Sequence, residues 1–177
     1  MHDCELNNPG KMSAVIGASQ DKIQAICDSV DCQIANINSE SQIVISGSEK
    51  SIDLATENLK RIGSKVIPLS VSGAFHSKLM FEAKNKLSDI INISKFNEVS
   101  CPIVSNFNAK PNVSIEEIKF ALIEQIDNPV QWSKSIKSLS KLSNKFIEIG
   151  PKKVLKNIMK KIDDSLIITT YNSIENL

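Results

Sequence analysis

Histidine and aromatic residues are scarce in this chain. Its 177 residues include two histidines, one tryptophan, one tyrosine and six phenylalanines. With His2 close to the terminus, His76 is the one imidazole placed for an interior site, so a metal centre built on histidine pairs is not expected. Cys4, Cys27, Cys32 and Cys101 form no Cys-x-x-Cys pair. That spacing speaks against a zinc ribbon or a dithiol redox motif, and a reducing compartment is expected. An excess of one charge is also lacking: 21 basic residues face 20 acidic ones, a net +1. A broad nucleic-acid or membrane surface is therefore not expected. No apolar run approaches the roughly 18 residues of a membrane span. The first ten residues lack the basic and apolar regions of a signal peptide and end in Asn8-Pro9-Gly10. They are expected to be a loop cut from something longer. The expected location is cytoplasmic, or organellar in a eukaryote.

What is present is ordinary for a soluble globular protein: 41% hydrophobic and 23% charged residues, in a length that suits one domain or two small ones. Met12 to Gly17 is expected to be a short strand closed by glycine. Ile23, Ile26, Cys27 and Val30 then give a helix over about 20–30, with Cys27 as a buried thiol. Cys32 to Asn38 alternates like a strand, Ser39 to Ser41 turns, and Gln42 to Ser46 returns, which makes a hairpin. Ser48 caps the next helix, whose stripe is Ile52, Ala55, Leu59 and Ile62, and Gly63 ends it. Lys65 to Val71 is a fourth strand. The order β-α-β-β-α-β over residues 10–72 predicts a ferredoxin-like small domain, a fold that by itself decides no function.

From Ser77 the rhythm changes. A helix is expected to about Ile91, with Leu79, Met80, Ala83, Leu87, Ile90 and Ile91 as its apolar stripe. A strand is expected over Val99 to Asn106, then a loop over Ala109 to Asn112. Ser114-Ile115-Glu116-Glu117 spells a capping box for a helix carrying Ile115, Ile118, Leu122 and Ile126. A helix with Trp132, Ile136 and Leu139, a strand over Phe146 to Ile149, a helix over Val154 to Ile162 and a strand over Leu166 to Thr170 follow. The lysines of the penultimate element, among them Lys152, Lys153, Lys156, Lys160 and Lys161, read as its solvated face. Alternating strands and helices imply a parallel sheet over residues 73–177. Three strands are few for such a sheet, so part of it is expected to be missing and apolar surface exposed.

Val71 to Met80, Val-Ser-Gly-Ala-Phe-His-Ser-Lys-Leu-Met, joins the two halves. Ser77 can cap the helix that follows. His76 then lies in a strand-to-helix turn, a place suited to a neutral ring that accepts a proton. A turn histidine that merely packs is the plain alternative.

Five segments, taken in order, resemble malonyl-CoA:acyl carrier protein transacylase of bacterial and organellar fatty acid synthesis. They are Pro9 to Gly17; Ala35 to Ser39 with Gln42 to Gly47; Ser72-Gly73-Ala74-Phe75-His76-Ser77; Gln125-Ile126-Asp127-Asn128-Pro129-Val130-Gln131-Trp132; and Ile149-Gly150-Pro151-Lys152-Lys153-Val154-Leu155. The resemblance implies an α/β-hydrolase-like parallel-sheet domain, of which 73–177 would be the C-terminal portion, interrupted by the ferredoxin-like one. It implies ping-pong transfer: a serine in a Gly-x-Ser-x-Gly turn takes malonyl from malonyl-CoA, a histidine takes the serine's proton, and the phosphopantetheine thiol of acyl carrier protein removes the acyl group. His76 matches the catalytic histidine. Gln125 matches a glutamine whose main-chain carbonyl orients that ring, and Phe75 matches a substrate-pocket position that favours malonyl units. Asn36 and Asn38 match a loop near the cleft, and Trp132 and Gly150-Pro151 read as packing and helix-start residues. No cofactor is implied beyond the substrate malonyl-CoA.

No Gly-x-Ser-x-Gly occurs in the 177 residues; Ile45-Ser46-Gly47-Ser48 belongs to a different family motif. The family's carboxylate-binding arginine and oxyanion-hole glutamine also precede the matched region, and Met1 aligns with an internal methionine. The expectation is the C-terminal part of the enzyme, inactive alone, with acyl carrier protein and a separately encoded N-terminal fragment as candidate partners, and with neither nucleic acid nor membrane. A stand-alone ferredoxin-like binding or regulatory module, or an inactive remnant, stays open beside it.

Overall fold

The computed structural model describes residues 9–71 and 73–172. Its first half has the expected order: β1 (Gly10–Ile16), α1 (Gln20–Val30), β2 (Gln33–Ser39), β3 (Gln42–Ser48), α2 (Glu49–Arg61) and β4 (Lys65–Pro68). The four strands form one antiparallel sheet in the order β2-β3-β1-β4. Ser48 caps α2 by accepting from Ser51 N at 3.1 Å, and Gly63 ends it at φ +87°, a conformation glycine adopts without steric cost. Strand β4 ends three residues earlier than expected, and the expected domain boundary falls on Ser72, outside the described residues, as do Cys4 and most of the expected opening loop.

One sheet face is sealed by the two helices. Val15, Ile34, Ile37, Ile43, Ile45 and Val66 from the strands meet Ile23, Cys27, Ile52, Ala55 and Leu59. Ile34 and Ile37 are an odd spacing apart, and they share this face because the β2–β3 register shifts between Ile34 and Asn36. The opposite face carries Met12, Ala14, Ala35 and Val44, and Phe75 packs on it. Ile62, expected on the buried stripe, is exposed at the end of α2.

The second half begins with a 3-10 turn, Lys78–Met80, that runs into α3 (Phe81–Ile93). Ile90, expected to be buried, is exposed, because the core here is a small cluster of Met80, Ala83 and Ile126. The strand expected over 99–106 shrinks to β5 (Ile103–Val104), paired antiparallel with β6 (Pro111–Asn112), where a loop is expected. Pro102 lacks an N–H for a ladder, and Pro111 is tolerated because β6 is an edge. Next come α4 (Ile115–Glu124), with both bonds of its capping box formed, and α5 (Trp132–Leu139). They are followed by β7 (Lys145–Ile149), α6 (Val154–Ile162) and β8 (Ile167–Tyr171).

Among the named strands of the described residues only β7 and β8 pair in parallel, so the expected three-strand sheet is a two-strand one. One of its faces holds Phe146 and Ile168 in a cluster with Trp132, Ile136 and Met159. The other is bare: Ile147 is 67% exposed, Ile149 73% and Ile167 53%. Parallel sheets bury both faces, so this pair shows the exposed apolar surface that the strand count implies.

Candidate active site

The histidine turn is held from below. Ser77 is fully buried; its hydroxyl donates to the Ala74 carbonyl at 2.6 Å and accepts from Leu79 N at 3.3 Å. Lys78 N donates to Gln33 Oε1 at 2.8 Å, and the Lys78 ammonium pairs with Asp31, so the turn is tied to the start of β2. The incoming chain crosses β1 closely. A Cβ on Gly10 would lie 2.5 Å from Ala74 Cβ and 2.7 Å from the Gly47 carbonyl oxygen, so only glycine leaves room for Ala74 to pass.

His76 has φ 57°, in the left-handed region. Histidine enters this region more readily than most non-glycine residues, at a cost of about 1–2 kcal/mol. The conformation directs the ring to the end of α4, where Nδ1 lies 2.7 Å from the Gln125 main-chain oxygen. A carbonyl can only accept, so Nδ1 carries the proton and, in the neutral ring, Nε2 is the basic nitrogen. The ring is half-buried. This is the orientation in which a histidine takes a proton from a nucleophile while a fixed acceptor holds its other side.

Gln125 thus meets His76 through its backbone. The segment that carries it is fastened on two sides. Beyond it, Val130 N donates to the Ala35 carbonyl at 2.8 Å and Ile37 N donates to the Val130 carbonyl at 2.9 Å, so residue 130 adds a short parallel bridge to β2 at Asn36. Around Gln125, Lys84 Nζ on α3 lies 2.8 Å from Glu124 Oε1 and 3.1 Å from Asp127 Oδ1. Asn128 Nδ2 lies 2.8 Å from Asp127 Oδ1 and 3.3 Å from Glu124 Oε2. Burial opposes the Lys84 charge, but the hydrogen bonds to the two carboxylates outweigh it and hold the ammonium above the usual lysine range.

Phe75 touches both apolar clusters, the one under the sheet and the one around Met80 and Ile126. Asn36 pairs with Val130, five positions beyond Gln125, in a parallel bridge. Asn38 is half-buried, with no hydrogen bond to His76 or Gln125 among the described residues. Among those residues no three of His, Cys, Asp and Glu group as metal ligands, and no helix is long and apolar enough to cross a membrane. A hollow of about 330 Å³ lies between the β2–β3 hairpin and α5, lined by Ile37, Ser39, Ile43, Ser133 and Lys137, and His76 does not line it. Sequence patterns did not single out Lys84, Glu124, Asp127 and Asn128 as a group. Lys84 lies about forty residues from its partners, and no local spacing announces such a contact.

The Bacillus subtilis (strain 168) malonyl CoA-acyl carrier protein transacylase is 39% identical to this chain over 164 residues, 89% of the chain and 52% of that protein. This chain is a homologue of part of the malonyl CoA-acyl carrier protein transacylases. Solved structures agree with it. The transacylase of Streptococcus pneumoniae superposes with a TM-score of 0.91 at 34% identity, covering 97% of this chain and 58% of that one. A malonyl-transacylase in complex with its type II PKS acyl-carrier protein superposes at 0.92 and 29% identity, covering 98% and 60%. The chain spans about half the length of the curated transacylase it matches.

A family model described as KH domain also matches, over residues 4–61. KH recognition depends on a Gly-x-x-Gly loop that clamps the nucleic-acid backbone. No Gly-x-x-Gly occurs in that segment, which carries five basic and eight acidic residues. In this chain the described residues of the segment form a small sheet with two helices on one face. The electrostatics of phosphate binding are missing from it.

Proposed function

We propose that this chain carries the general-base portion of a malonyl-CoA:acyl carrier protein transacylase of fatty acid biosynthesis. The observation that carries the reading is the His76–Gln125 bond, which leaves Nε2 free on a turn whose sequence and surroundings match a transacylase. In this reading His76 Nε2 takes the proton of a serine hydroxyl as that oxygen attacks the malonyl thioester. The proton then passes to the departing CoA sulfur, and the cycle repeats with the carrier-protein thiol as attacking group. The Gln125 carbonyl keeps the proton on Nδ1 through both halves. Phe75 walls the acyl pocket, its ring leaving no room for an α-branch, and Asn36 and Asn38 border the cleft. Residues 10–72 form the ferredoxin-like domain, and 73–177 form part of the hydrolase-like one. The serine comes from residues outside this sequence, since the 177 residues hold no Gly-x-Ser-x-Gly.

The test uses radiolabelled malonyl-CoA and acyl carrier protein. The chain alone is expected to acquire no label and transfer none. Mixed with the segment of the Bacillus subtilis transacylase that it does not match, it is expected to transfer malonyl to the carrier protein. Labelling of the chain alone, or a complex of the two pieces that transfers nothing, counts against the reading.

A second reading rests on a separate observation: the cluster beneath α1 and α2 is contained within residues 15–66. A stand-alone binding module could be built on it. That reading expects residues 10–72 to bind a small ligand unaided, with His76 dispensable.

A further inference from the structure

The His76–Gln125 pair joins two backbone segments that lie 49 positions apart. Two kinds of tie could keep them in register. The small apolar cluster of Met80, Ala83 and Ile126 presses them together without specifying direction. The polar tie is more specific. Lys84 lies in the first turn of α3, eight positions beyond His76, and its ammonium takes one carboxylate on each side of Gln125. The three side chains are 17%, 22% and 13% exposed, the most enclosed ion pairing among the described residues. The other pairs, such as Lys11–Asp53 at 43% and 64%, are open to solvent, where such pairs contribute little. Asn128 bonds to the same carboxylates and donates to the Glu124 main-chain oxygen at 3.0 Å. The residue whose carbonyl accepts from His76 therefore lies, in sequence, between the two carboxylates of a closed ring of polar bonds, and Lys84 is the member of that ring on α3.

We propose that Lys84 is a positioning residue for the histidine: by clamping Glu124 and Asp127 it holds the Gln125 carbonyl against Nδ1, and so selects the tautomer with Nε2 free. The role rests on reading His76 as the base. Lys84 itself touches no reacting atom. An ammonium with three donors can satisfy two carboxylates at once, whereas an uncharged side chain of similar length fills the space and leaves two enclosed carboxylates facing each other. Their repulsion opens the end of α4, and the shift reaches Gln125 directly because it lies between them in sequence.

The test reads the imidazole rather than the reaction, so it stands apart from the transfer assay. Nitrogen-15 spectra of the 177-residue chain, at a pH where His76 is neutral, report which ring nitrogen is protonated. The wild-type chain is expected to hold Nδ1–H in excess. Lys84→Met is expected to lower the Nδ1–H to Nε2–H ratio about fivefold, the fold-change matching the net worth of one hydrogen bond. Lys84→Arg, which keeps the charge and carries donors enough for both carboxylates, is expected to restore most of it. Asp127→Asn keeps shape and one ion pair and shows a smaller shift in the same direction, which preserves the test should Lys84→Met fail to fold. A folded Lys84→Met or Asp127→Asn chain with the wild-type ratio overturns the proposal, whatever happens to its melting temperature. A shift in Lys84→Met that Lys84→Arg does not recover also overturns it. If the ratio responds as stated but malonyl transfer never appears, the proposed function falls and the clamp stands.

Discussion

The two halves of this molecule use the same ingredients and finish differently. In the first, four antiparallel strands have one face sealed by α1 and α2 and the other partly covered by the passing Phe75 segment. In the second, two parallel strands have one face packed by Trp132, Ile136 and Met159 and the other open, with Ile147, Ile149 and Ile167 in solvent. The antiparallel sheet closes within about sixty residues: one hairpin joins β2 to β3, and the crossovers through α1 and α2 bring β3 and β4 to either side of β1. A parallel sheet is finished only when strands joined by crossovers and helices on both faces are assembled. The histidine turn sits at the joint. It is tied to the antiparallel half through the Lys78 amide on Gln33 and the Lys78 ammonium on Asp31, and its carbonyl acceptor comes from the other half.

The sharpest way to break this contrast is to delete the same methyl groups on each side. Ile45→Ala, in the sealed cluster, is expected to cost about 2–5 kcal/mol. Ile147→Ala, on the open face, should cost about 0.5 kcal/mol or less and reduce binding of a dye that reports apolar surface. Urea unfolding monitored by circular dichroism measures both, and equal losses would erase the distinction.

A smaller effect probes the packed side of the parallel pair. Glu148 is buried on β7, and its carboxylate accepts from Leu155 N at 2.8 Å and Lys156 N at 3.2 Å, closing the first turn of α6 from outside the helix. Glu148→Ala leaves those donors without their partner and is expected to cost about 1–3 kcal/mol. Faster amide exchange in α6 with β1–β4 unchanged would localise the damage to the second half.

The smallest effect is an acid one. The Ser114 and Val113 amides bond to the Glu117 carboxylate and hold it below the usual glutamate range. A carboxyl whose folded value is depressed stabilises the native state above its ordinary range and loses that contribution as the pH falls through the folded value. Glu117→Gln is therefore expected to lower stability slightly at neutral pH, with the gap to the parent chain closing in acid. A gap that stays constant from neutral to acid pH would show that the capping carboxylate is not its source.

How much of this was legible beforehand depends on the range of the interactions. Capping at Ser114 with Glu117, the stop at Gly63 and the stripe of Ile52, Ala55 and Leu59 are local, and the structure has them where spacing puts them. The strand expected over 99–106 failed because β propensity needs a partner to pair with, and here only Ile103 and Val104 find one. At the site, the serine-capped turn was readable, whereas the meeting of His76 with Gln125 rested on resemblance alone. The Lys84 network was invisible, since it joins two helices through tertiary packing that no periodicity records.

The most direct measurement on the central claim is the rate of malonyl transfer to acyl carrier protein by the chain mixed with the segment of the Bacillus subtilis transacylase that it does not match, with His76 and with His76→Ala. The account predicts a loss of about 10⁴-fold or more on removing the imidazole, the scale seen when one member of a catalytic triad is deleted. A folded, assembled His76→Ala chain that transfers malonyl at the parent rate would contradict it.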